Sequence, residues 1–431
     1  MGARSFACAL GGQSGLVVKK PQMIRDFSAR VVRDLRQWRR IALGMLHVGV
    51  TIFLLCGCGT YGRMLLHGRS GVEDYRIFPG REIEASPRPF FFRDKTQEGR
   101  VTDHLSIPGH DAADLEAILR GNGTLAFLVI QDDALLYERY FNGFTRDSIS
   151  LGFSMTKSVL SLLIGCAMED GLMGSVDEPI ARYLPELRGH RPEKVTLRHL
   201  LMSTSGLDYA ENDNPLGIHA YMYYCERCIE RQALAFRLAE EPGTRFVYKS
   251  GDNILLATAL RRALRGETIT AYLQRRVWNP LGMESGGIWS TDGEQEKSWC
   301  CLAATARDFA KIGMLSLRGG QWENGRIVNE KWIRNSTTIT EKDGASWKYQ
   351  FQWWHPFRDR SYYMMAGHLG QYVFVNPEKQ VVVVRLGTSL GGLSSEQWRD
   401  LFAVLSDAVR PQPNQQGGVR PGSVLMSRSV E

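Results

Sequence analysis

The sequence predicts an α+β fold in which strands from both ends of one domain complete a single antiparallel sheet. Strand-like segments occur early, at residues 125–140, and return late, at residues 361–386. The chain between them has mainly helical patterns, so we expect a helical subdomain inserted into the sheet domain. A length of 431 residues with 43% hydrophobic side chains allows a core of that size.

The individual elements follow from periodicity and from start and stop signals. A polar turn at residues 131–134 separates two short apolar runs, which predicts a hairpin. The strands are predicted at 125–130, 135–140, 361–366, 372–376 and 381–386. The helices are predicted at 154–170, where Gly171 is a C-cap signal, and at 196–203, 254–264, 268–278, 303–317 and 394–409.

Residues 1–58 predict an export leader. Arg39 and Arg40 precede an apolar run at 41–55, which is too short for a comfortable membrane span. The cysteine after this run resembles a lipoprotein signal, so we expect Cys58 to carry a lipid. An uncleaved signal anchor, or a misassigned start with a buried helix, stays an open alternative. A lipidated Cys58 and an uncleaved anchor would both place residues 59–431 on the periplasmic side of the cell envelope, attached to the membrane.

Basic charge is confined to the leader. Residues 1–57 hold nine basic and two acidic side chains, which accounts for the whole formal net charge of +7. The remaining chain is balanced, so we expect no nucleic-acid partner. We expect a tether and irregular lead-in at 59–109, the main domain at 110–410, and a disordered tail rich in Pro, Gly, Gln and Ser at 411–431.

The predicted chemistry centres on Ser154 and Lys157. A serine three residues before a lysine, at the start of an apolar helix, puts both side chains on one face of the helix. A hydroxyl is a weak nucleophile until a base takes its proton, and a neutral lysine can be that base. The helix N-terminus also presents backbone N–H groups that can stabilise an oxyanion. The Ser-x-x-Lys pattern is common, however, and has to be judged with the rest of the chain.

Two further motifs follow in order, Tyr248-x-Ser250 and His368-x-Gly370. With Ser-x-x-Lys they correspond to the three motifs of penicillin-recognising serine enzymes, with serine replacing asparagine in the second and histidine replacing lysine in the third. The chain therefore resembles the class C β-lactamase-related serine hydrolases, and most of all the 6-aminohexanoate-dimer hydrolase branch and its family VIII esterase relatives. The resemblance covers about residues 110–410 and implies a β-lactamase/transpeptidase-like fold. Neighbouring phrases also match the family, at 195–207, 242–248 and 304–308.

The resemblance implies acyl transfer without a metal or other cofactor. Ser154 would be the nucleophile, Lys157 the general base and Tyr248 a general acid and base. The backbone N–H groups of Ser154 and Gln371 would form the oxyanion hole. The expected substrate is a small ester or a linear amide.

The resemblance also implies supporting roles. Ser250 would orient Lys157 or the substrate, and His368 would hydrogen-bond to polar groups of the site. Gly370 is predicted to contact substrate. Independently of the resemblance, Tyr221 and Trp299 are predicted to line the pocket because aromatic side chains bury a large area, and ordinary packing stays an open alternative for each. Because a histidine is mostly neutral at pH 7, recognition of a penicillin-type carboxylate should weaken, and we expect poor β-lactam hydrolysis.

Other interpretations stay open. A D-Ala peptidase or weak β-lactamase would use the same nucleophile, and an envelope binding lipoprotein could have kept the fold without catalysis. Two cysteine pairs, 225/228 and 300/301, allow disulfides, free thiols or a shared zinc site. An exported protein favours disulfides.

Overall fold

The computed structural model describes residues 22–55, 59–101, 104–105, 113–188, 191–212, 214–323 and 325–410. The chain divides into two units, residues 1–62 and 63–431. Across the described ranges, no helix combines the length and hydropathy needed to cross a bilayer. The predicted lipidation site Cys58 and the predicted tail at 411–431 lie outside the described residues.

The predicted helices are present, with shifted ends. The largest shift is at the helix predicted at 254–264, which begins four residues earlier, at Ser250. The helix predicted at 303–317 begins at Ala306, because Thr305 is its N-cap and residues 302–304 form a strand. The α-helices of the described chain are α1 (Gln22–Leu55), α2 (Thr60–His67), α3 (Leu115–Gly121), α4 (Met155–Glu169), α5 (Leu197–Leu201), α6 (Ile218–Tyr224), α7 (Ile229–Leu234), α8 (Ser250–Ala263), α9 (Ile269–Leu273, followed by a π-helical turn at Gln274–Trp278), α10 (Ala306–Leu317), α11 (Glu330–Thr337) and α12 (Ser395–Ala408).

The predicted strands are also present, and the structure adds short ones. The strands of the described chain are β1 (Gly80–Ile83), β2 (Arg93–Asp94), β3 (His104–Leu105), β4 (Ala113–Asp114), β5 (Thr124–Gln131), β6 (Ala134–Tyr140), β7 (Ser150–Leu151), β8 (Gly287–Ser290), β9 (Leu302–Ala304), β10 (Gln321–Trp322), β11 (Gly325–Arg326), β12 (Tyr349–Gln350), β13 (Trp353–Trp354), β14 (Tyr363–Gly367), β15 (Gln371–Asn376) and β16 (Val381–Gly387).

Strands from both ends of the domain share one sheet, as predicted. The eight-stranded sheet has the order β12-β13-β14-β15-β16-β5-β6-β2. The late strand β16 pairs antiparallel with the early strand β5, from Val381 opposite Gln131 to Gly387 opposite Thr124. This pairing joins the early and late strands into one sheet, and the mainly helical middle of the chain is an insertion between β6 and β12.

Both faces of this sheet are covered. Because side chains alternate along a strand, the wholly buried strand β5 serves two cores. Leu128 and Ile130 pack in the larger core with the residues of α4 and α10. Phe127 and Val129 pack in the smaller core with the residues of α12. The burial of α4 on nearly all sides follows from its place in the larger core.

The lead-in differs from the predicted irregular chain. Strand β1 pairs with β8 at the edge of a four-stranded sheet of order β1-β8-β9-β7, and β2 pairs in parallel with β6. Pro79 and Pro87 lie on either side of β1, outside the paired residues. Proline is compatible with such edge positions, so these residues delimit the strand instead of excluding it.

Candidate active site

Ser154 lies at a strained turn between β7 and α4. It is the N-cap residue of α4 and stays half-buried, whereas the rest of the first helical turn is buried. The preceding residue, Phe153, has φ of 44°, in the left-handed region that bulky residues rarely adopt. The backbone N–H of Gly152 donates to the carbonyl of Leu302 on β9 (2.9 Å), which holds the turn against the smaller sheet. Backbone strain of this kind is typical of functional sites.

Lys157 lies beside the nucleophile. Its Nζ donates to Ser154 Oγ (2.9 Å) and to the backbone carbonyl of Trp299 (2.9 Å). The side chain is 1% exposed. Both hydrogen-bond acceptors are uncharged, and among the described residues no carboxylate forms an ion pair with Lys157. The 2.9 Å contact with Ser154 Oγ is compatible with the predicted role of Lys157 as general base, which stays a prediction.

Tyr248 completes the group of three. Its ring centroid lies 5.0 Å from Lys157 Nζ. The ring packs against Tyr349 (5.5 Å between centroids) and Trp354 (5.1 Å), which come from β12 and β13. The structure therefore brings Ser154, Lys157 and Tyr248 together, as the sequence predicts, although their roles in catalysis stay predictions.

The third motif lies against the nucleophile turn. A Cβ on Gly367 would come within 2.2 Å of the Gly152 carbonyl oxygen, so the two backbones are in direct contact. His368 is exposed, and its ring stands perpendicular to that of Phe153 with 5.5 Å between centroids. This contact places the His368 side chain at the rim of the same site.

The chain bends sharply after His368. Leu369 (φ 61°) and Gly370 (φ 78°) are both left-handed, and β15 begins at Gln371. The Gln371 side chain is buried, donates to the carbonyls of His368 (3.3 Å) and Gly387 (2.5 Å), and accepts from the Gly387 N–H (3.2 Å). Its side chain is thereby engaged by backbone groups, and the role of its backbone N–H in the oxyanion hole stays a prediction.

Arg385 stabilises this bend through hydrogen bonds to backbone carbonyls. Its guanidinium donates to the carbonyls of Gly370 (2.6 Å), Asn122 (2.7 Å) and Ser389 (2.8 Å). It also lies 4.0 Å from the Trp398 ring centroid. Burial lowers the pKa of this guanidinium to about 10, so it stays charged at neutral pH. The sequence alone does not reveal this role, because the three acceptors are backbone atoms far apart along the chain.

We expect Arg385→Met to lower the free energy of unfolding by about 3 kcal/mol, because each buried carbonyl left without a donor costs about 1–3 kcal/mol. Chemical denaturation measures the change. Arg358→Met is the matched control, since Arg358 pairs with Glu341 at the surface and such pairs contribute about 1 kcal/mol or less. Equal stabilities of the two variants would contradict the supporting role of Arg385.

Ser250 has a partner that the sequence did not predict, and its predicted contact with substrate stays a prediction. Its hydroxyl donates to Glu211 Oε1 (2.8 Å) and its backbone N–H donates to Glu211 Oε2 (2.7 Å), so the side chain is engaged by a carboxylate and not by Lys157. His219 Nδ1 lies 3.3 Å from Glu211 Oε2. Sequence reasoning missed Glu211, because this contact depends on the fold of a loop 39 residues before Ser250.

The charge of Glu211 follows from its surroundings. Burial raises its pKa, but the hydrogen bond from His219, the charge of Lys157 and the backbone N–H of Ser250 outweigh burial and bring the pKa to about 2. Glu211 is therefore ionised throughout the neutral range. The site therefore contains the buried Lys157 side chain and an ionised, half-buried Glu211 that accepts from the first residue of α8.

Two predicted substrate contacts fare differently. The Trp299 side chain is 1% exposed and belongs to the larger core, so it cannot line a substrate pocket, and that prediction is wrong. Its contribution is the backbone carbonyl that accepts from Lys157. Tyr221 lies half-buried on α6 and packs against the same core, and its contact with substrate stays a prediction.

The four cysteines outside the leader that were considered for zinc form two disulfides. Cys225 is joined to Cys228, and Cys300 to its neighbour Cys301. Within the part of the chain that the structure describes, no cluster of three or more His, Cys, Asp or Glu side chains is arranged to hold a metal. The second disulfide lies directly after Trp299, in the segment that contacts both Lys157 and the nucleophile turn.

Comparisons with known proteins agree with this geometry. The Beta-lactamase family model matches residues 114–406. The 6-aminohexanoate-dimer hydrolase of Paenarthrobacter ureafaciens is 26% identical over 322 residues, which are 69% of this chain and 81% of that protein. Esterase EstB of Burkholderia gladioli is 30% identical over 157 residues, which are 33% of this chain and 39% of that protein.

A solved structure is similar over most of its length. The structure, described as a candidate 6-aminohexanoate-dimer hydrolase from Bacillus anthracis, aligns with a TM-score of 0.67 and 22% identity. The alignment covers 79% of this chain and 92% of that one. At this identity the likeness concerns the fold alone, and it confirms the predicted β-lactamase/transpeptidase-like architecture.

Proposed function

The chain belongs to the Beta-lactamase family and is a serine hydrolase, and from this premise we propose that it cleaves small esters or linear amides through an acyl-enzyme on Ser154. The observation that carries the proposal is the 2.9 Å hydrogen bond between Lys157 Nζ and Ser154 Oγ at the strained start of α4. The names of the two relatives, a dimer hydrolase and an esterase, support this substrate class.

The proposed reaction has two halves. Lys157 accepts the hydroxyl proton as Ser154 Oγ forms a bond to the substrate carbonyl carbon, and a tetrahedral oxyanion results. Tyr248 then passes a proton to the leaving amine or alcohol as the bond to it breaks. In the second half, Tyr248 takes back a proton from the water that attacks the acyl carbon. Lys157 then returns its proton to Ser154 Oγ as the acyl–oxygen bond breaks and the carboxylic acid is released.

The oxyanion site of this proposal uses backbone donors. The Ser154 N–H lies at the N-terminus of the 15-residue helix α4, whose dipole favours negative charge there. The second donor is the N–H of Gln371, at the end of β15 that is paired with Gly367. Because Gly367 touches the backbone of Gly152, this strand end lies next to the nucleophile turn.

His368 supports a preference for substrates without a carboxylate at this rim. A lysine at its position would carry a full positive charge, whereas histidine is mostly neutral at pH 7. Glu211, which hydrogen-bonds to Ser250 of the second motif, is ionised at neutral pH and adds a negative charge to the site. Anionic β-lactams are therefore expected to be poor substrates.

A substrate panel tests the proposal. We would assay residues 59–431 with p-nitrophenyl butyrate, a 6-aminohexanoate dimer and nitrocefin, each beside a variant without the Ser154 hydroxyl. Serine-dependent turnover of the ester or the linear amide, with little nitrocefin loss, is the expected result. Fast nitrocefin loss would favour a β-lactamase or D-Ala peptidase. No serine-dependent turnover, together with no reaction at Ser154 with a fluorophosphonate, would favour a binding protein.

We also propose that the enzyme is tethered to the cell envelope through Cys58. The support is the sequence of the leader, in which Arg39 and Arg40 precede an apolar run and a cysteine. In the described part of α1, several large apolar side chains are exposed, including Leu43, Met45 and Leu46. Exposed apolar residues beside basic ones suit a membrane surface.

We expect Cys58→Ser to release the full chain from membranes, because a lipidated cysteine is the proposed anchor. Fractionation of cells expressing the tagged chain, followed by immunoblotting, measures the distribution. Cys56→Ser is the matched control and should leave the protein in the membrane fraction. If the Cys58 variant stays membrane-bound, the leader acts as an uncleaved anchor or another residue carries the lipid.

A further inference from the structure

A disulfide joins two adjacent residues, Cys300 and Cys301, in the segment that contacts the proposed base. Trp299 comes immediately before the pair, and its backbone carbonyl accepts a hydrogen bond from Lys157 Nζ (2.9 Å). Cys300 is 5% exposed and Cys301 is wholly buried. The position of the carbonyl that holds the base therefore depends on the path of the chain through the disulfide.

Leu302 follows the pair and contacts the nucleophile turn. Its backbone carbonyl accepts from the N–H of Gly152 (2.9 Å), and its N–H donates to Thr156 Oγ1 (3.2 Å). Gly152 and Thr156 lie on either side of Ser154 in the chain. The two residues that flank the disulfide thus contact the base and both sides of the nucleophile.

Two side chains that could anchor this segment make no hydrogen bond. The Ser298 hydroxyl and the Trp299 indole N–H are buried and have no hydrogen-bond partner among the described residues. The backbone is bonded instead, and the N–H groups of Cys300 (3.3 Å) and Cys301 (3.0 Å) both donate to the Lys297 carbonyl. The segment is therefore held through its backbone, whose path the disulfide restricts.

This disulfide contributes little as a link between distant parts of the chain. In the loop-entropy account, a disulfide stabilises a fold by closing a loop in the unfolded chain, and the effect grows with the length of the loop. A bond between neighbouring residues closes the smallest loop possible. Its main effect is therefore local, on the backbone between Trp299 and Leu302.

Reduction of the pair would change this local backbone. Two sulfur atoms that are no longer bonded must move apart, to the distance of about 3.5–4 Å at which non-bonded heavy atoms pack. Protein interiors have few voids that could take up such a movement, so the peptide between the two cysteines has to rotate. That rotation displaces the Trp299 carbonyl and Leu302. A displacement of about 1 Å at a catalytic group can cost about a hundredfold in rate.

We propose that the Cys300–Cys301 disulfide is a positioning element of the active site, so that full turnover requires the oxidised pair and a dithiol lowers turnover reversibly. The inference rests on the proposed function, because it gives the disulfide a purpose in holding Ser154 and Lys157 for acyl transfer. The pair acts through the hydrogen bonds of the two residues that flank it.

The redox step is thiol–disulfide exchange. A thiolate of a small dithiol attacks the sulfur of Cys300, the more exposed residue of the pair, and the Cys301 sulfur leaves as a thiolate. The second thiol of the reagent then displaces Cys300 and closes a cyclic disulfide. Two electrons and two protons pass from the dithiol to the protein, which gains two thiols. Oxidised glutathione, as a small disulfide, reverses the exchange.

The test compares the oxidised and reduced forms of the full chain, purified in detergent. Dithiothreitol reduces the protein, and iodoacetamide labelling of a parallel sample, read by mass spectrometry, identifies the cysteines that have become thiols. Reduction of the Cys300–Cys301 pair should lower kcat for p-nitrophenyl butyrate by roughly tenfold to a hundredfold. KM should stay within about threefold, because the loss concerns the chemical step. Activity should return when oxidised glutathione replaces the dithiol.

Two double variants separate this pair from the other disulfide. Cys300→Ser with Cys301→Ser should have the low kcat of the reduced enzyme and no response to dithiothreitol. Cys225→Ser with Cys228→Ser is the matched control, because that disulfide also spans a short interval, from the C-cap of α6 to the N-cap of α7. The control should keep the wild-type kcat and lose activity on reduction to the same extent. Thermal melting of each form checks the fold.

Several results would overturn the inference. One is an unchanged kcat when the Cys300–Cys301 pair is reduced, and another is a pair that dithiothreitol does not reduce in the folded protein. A loss of activity that is missing from the Cys225→Ser, Cys228→Ser variant would assign the effect to the other disulfide. A loss that coincides with loss of the melting transition, or that reoxidation does not restore, would make the pair an ordinary structural bond. If the Cys300→Ser, Cys301→Ser variant does not fold, the reduced and reoxidised wild type decides.

Labelling of Ser154 by a fluorophosphonate gives the same comparison without an assumed substrate. Slower labelling of the reduced protein would support the inference even if no ester or amide of the panel is hydrolysed, an outcome that would count against the proposed function alone. Equal turnover of a panel substrate by the oxidised and reduced forms would contradict the inference and leave the proposed function intact. No labelling and no turnover in either form would overturn both, because no activated serine would be present.

Discussion

Ser154→Ala is expected to lower kcat for ester hydrolysis by about a thousandfold or more. The alanine has no oxygen to form the acyl-enzyme, and members of one catalytic unit fail together, so the remaining groups cannot compensate. The fold should be unaffected, because the Ser154 hydroxyl bonds to Lys157 at the half-buried mouth of the site. Initial rates with p-nitrophenyl butyrate measure the loss, and thermal melting checks the fold.

The matched control for this variant lies two helical turns further along α4. Ser161 is wholly buried, and its hydroxyl has no hydrogen-bond partner among the described residues. Ser161→Ala therefore removes the same atom from the same helix without breaking a contact, and it should retain activity. Turnover by Ser154→Ala within a few-fold of the wild type would show that another group is the nucleophile.

Lys157→Met is expected to lower kcat by about a thousandfold, within the range that general acid–base groups contribute. Methionine fills a similar volume but cannot accept the proton of Ser154. It also leaves the carbonyl of Trp299 without its donor, so stability is measured alongside activity. Steady-state rates at the pH optimum and at one pH unit above it give the loss.

Lys157→Arg separates the charge from the proton transfer. Arginine keeps a positive charge in the site but cannot lose its proton in a protein. If Lys157 is the base, this variant should be as inactive as Lys157→Met at every pH. An arginine variant with more than about a tenth of wild-type activity would show that Lys157 acts only through its charge.

The pairing of Ser154 with Lys157 could be predicted because it depends on local geometry. Two residues three positions apart on a helix must lie on the same face, wherever the helix sits in the fold. The strands β5 and β16 were predictable for a similar reason, since each is a short apolar run bounded by turn residues. Their membership of one sheet was predicted from the order of the elements, but the pairing of β5 with β16 was not predicted.

Contacts between distant loops could not be predicted. The carbonyl of Trp299 reaches Lys157 across 142 residues, and a backbone acceptor leaves no trace in residue type. The aromatic side chain suggested a substrate contact, but the fold buries it in the core. Glu211 was missed because one acidic residue in a polar loop carries no pattern, and only the folded loop brings it to Ser250.

The lead-in shows a second limit of sequence reasoning. Strands β1 and β2 have only four and two residues, too few to establish an alternating pattern. They form because β8 and β6 present open edges to them. Their stability comes from the partner strand and not from their own sequence.

The acyl-enzyme on Ser154 is the central claim, and trapping it is the most direct test. The purified protein (residues 59–431) is mixed with an excess of a p-nitrophenyl ester whose acyl group is slowly hydrolysed from the enzyme. The mixture is quenched in acid, digested and examined by mass spectrometry. The account predicts one acyl adduct, on the peptide that contains Ser154, which forms in wild type and Ser161→Ala and is absent from Ser154→Ala. Continued ester turnover with the adduct on another residue, or with no adduct at any quench time, would contradict it.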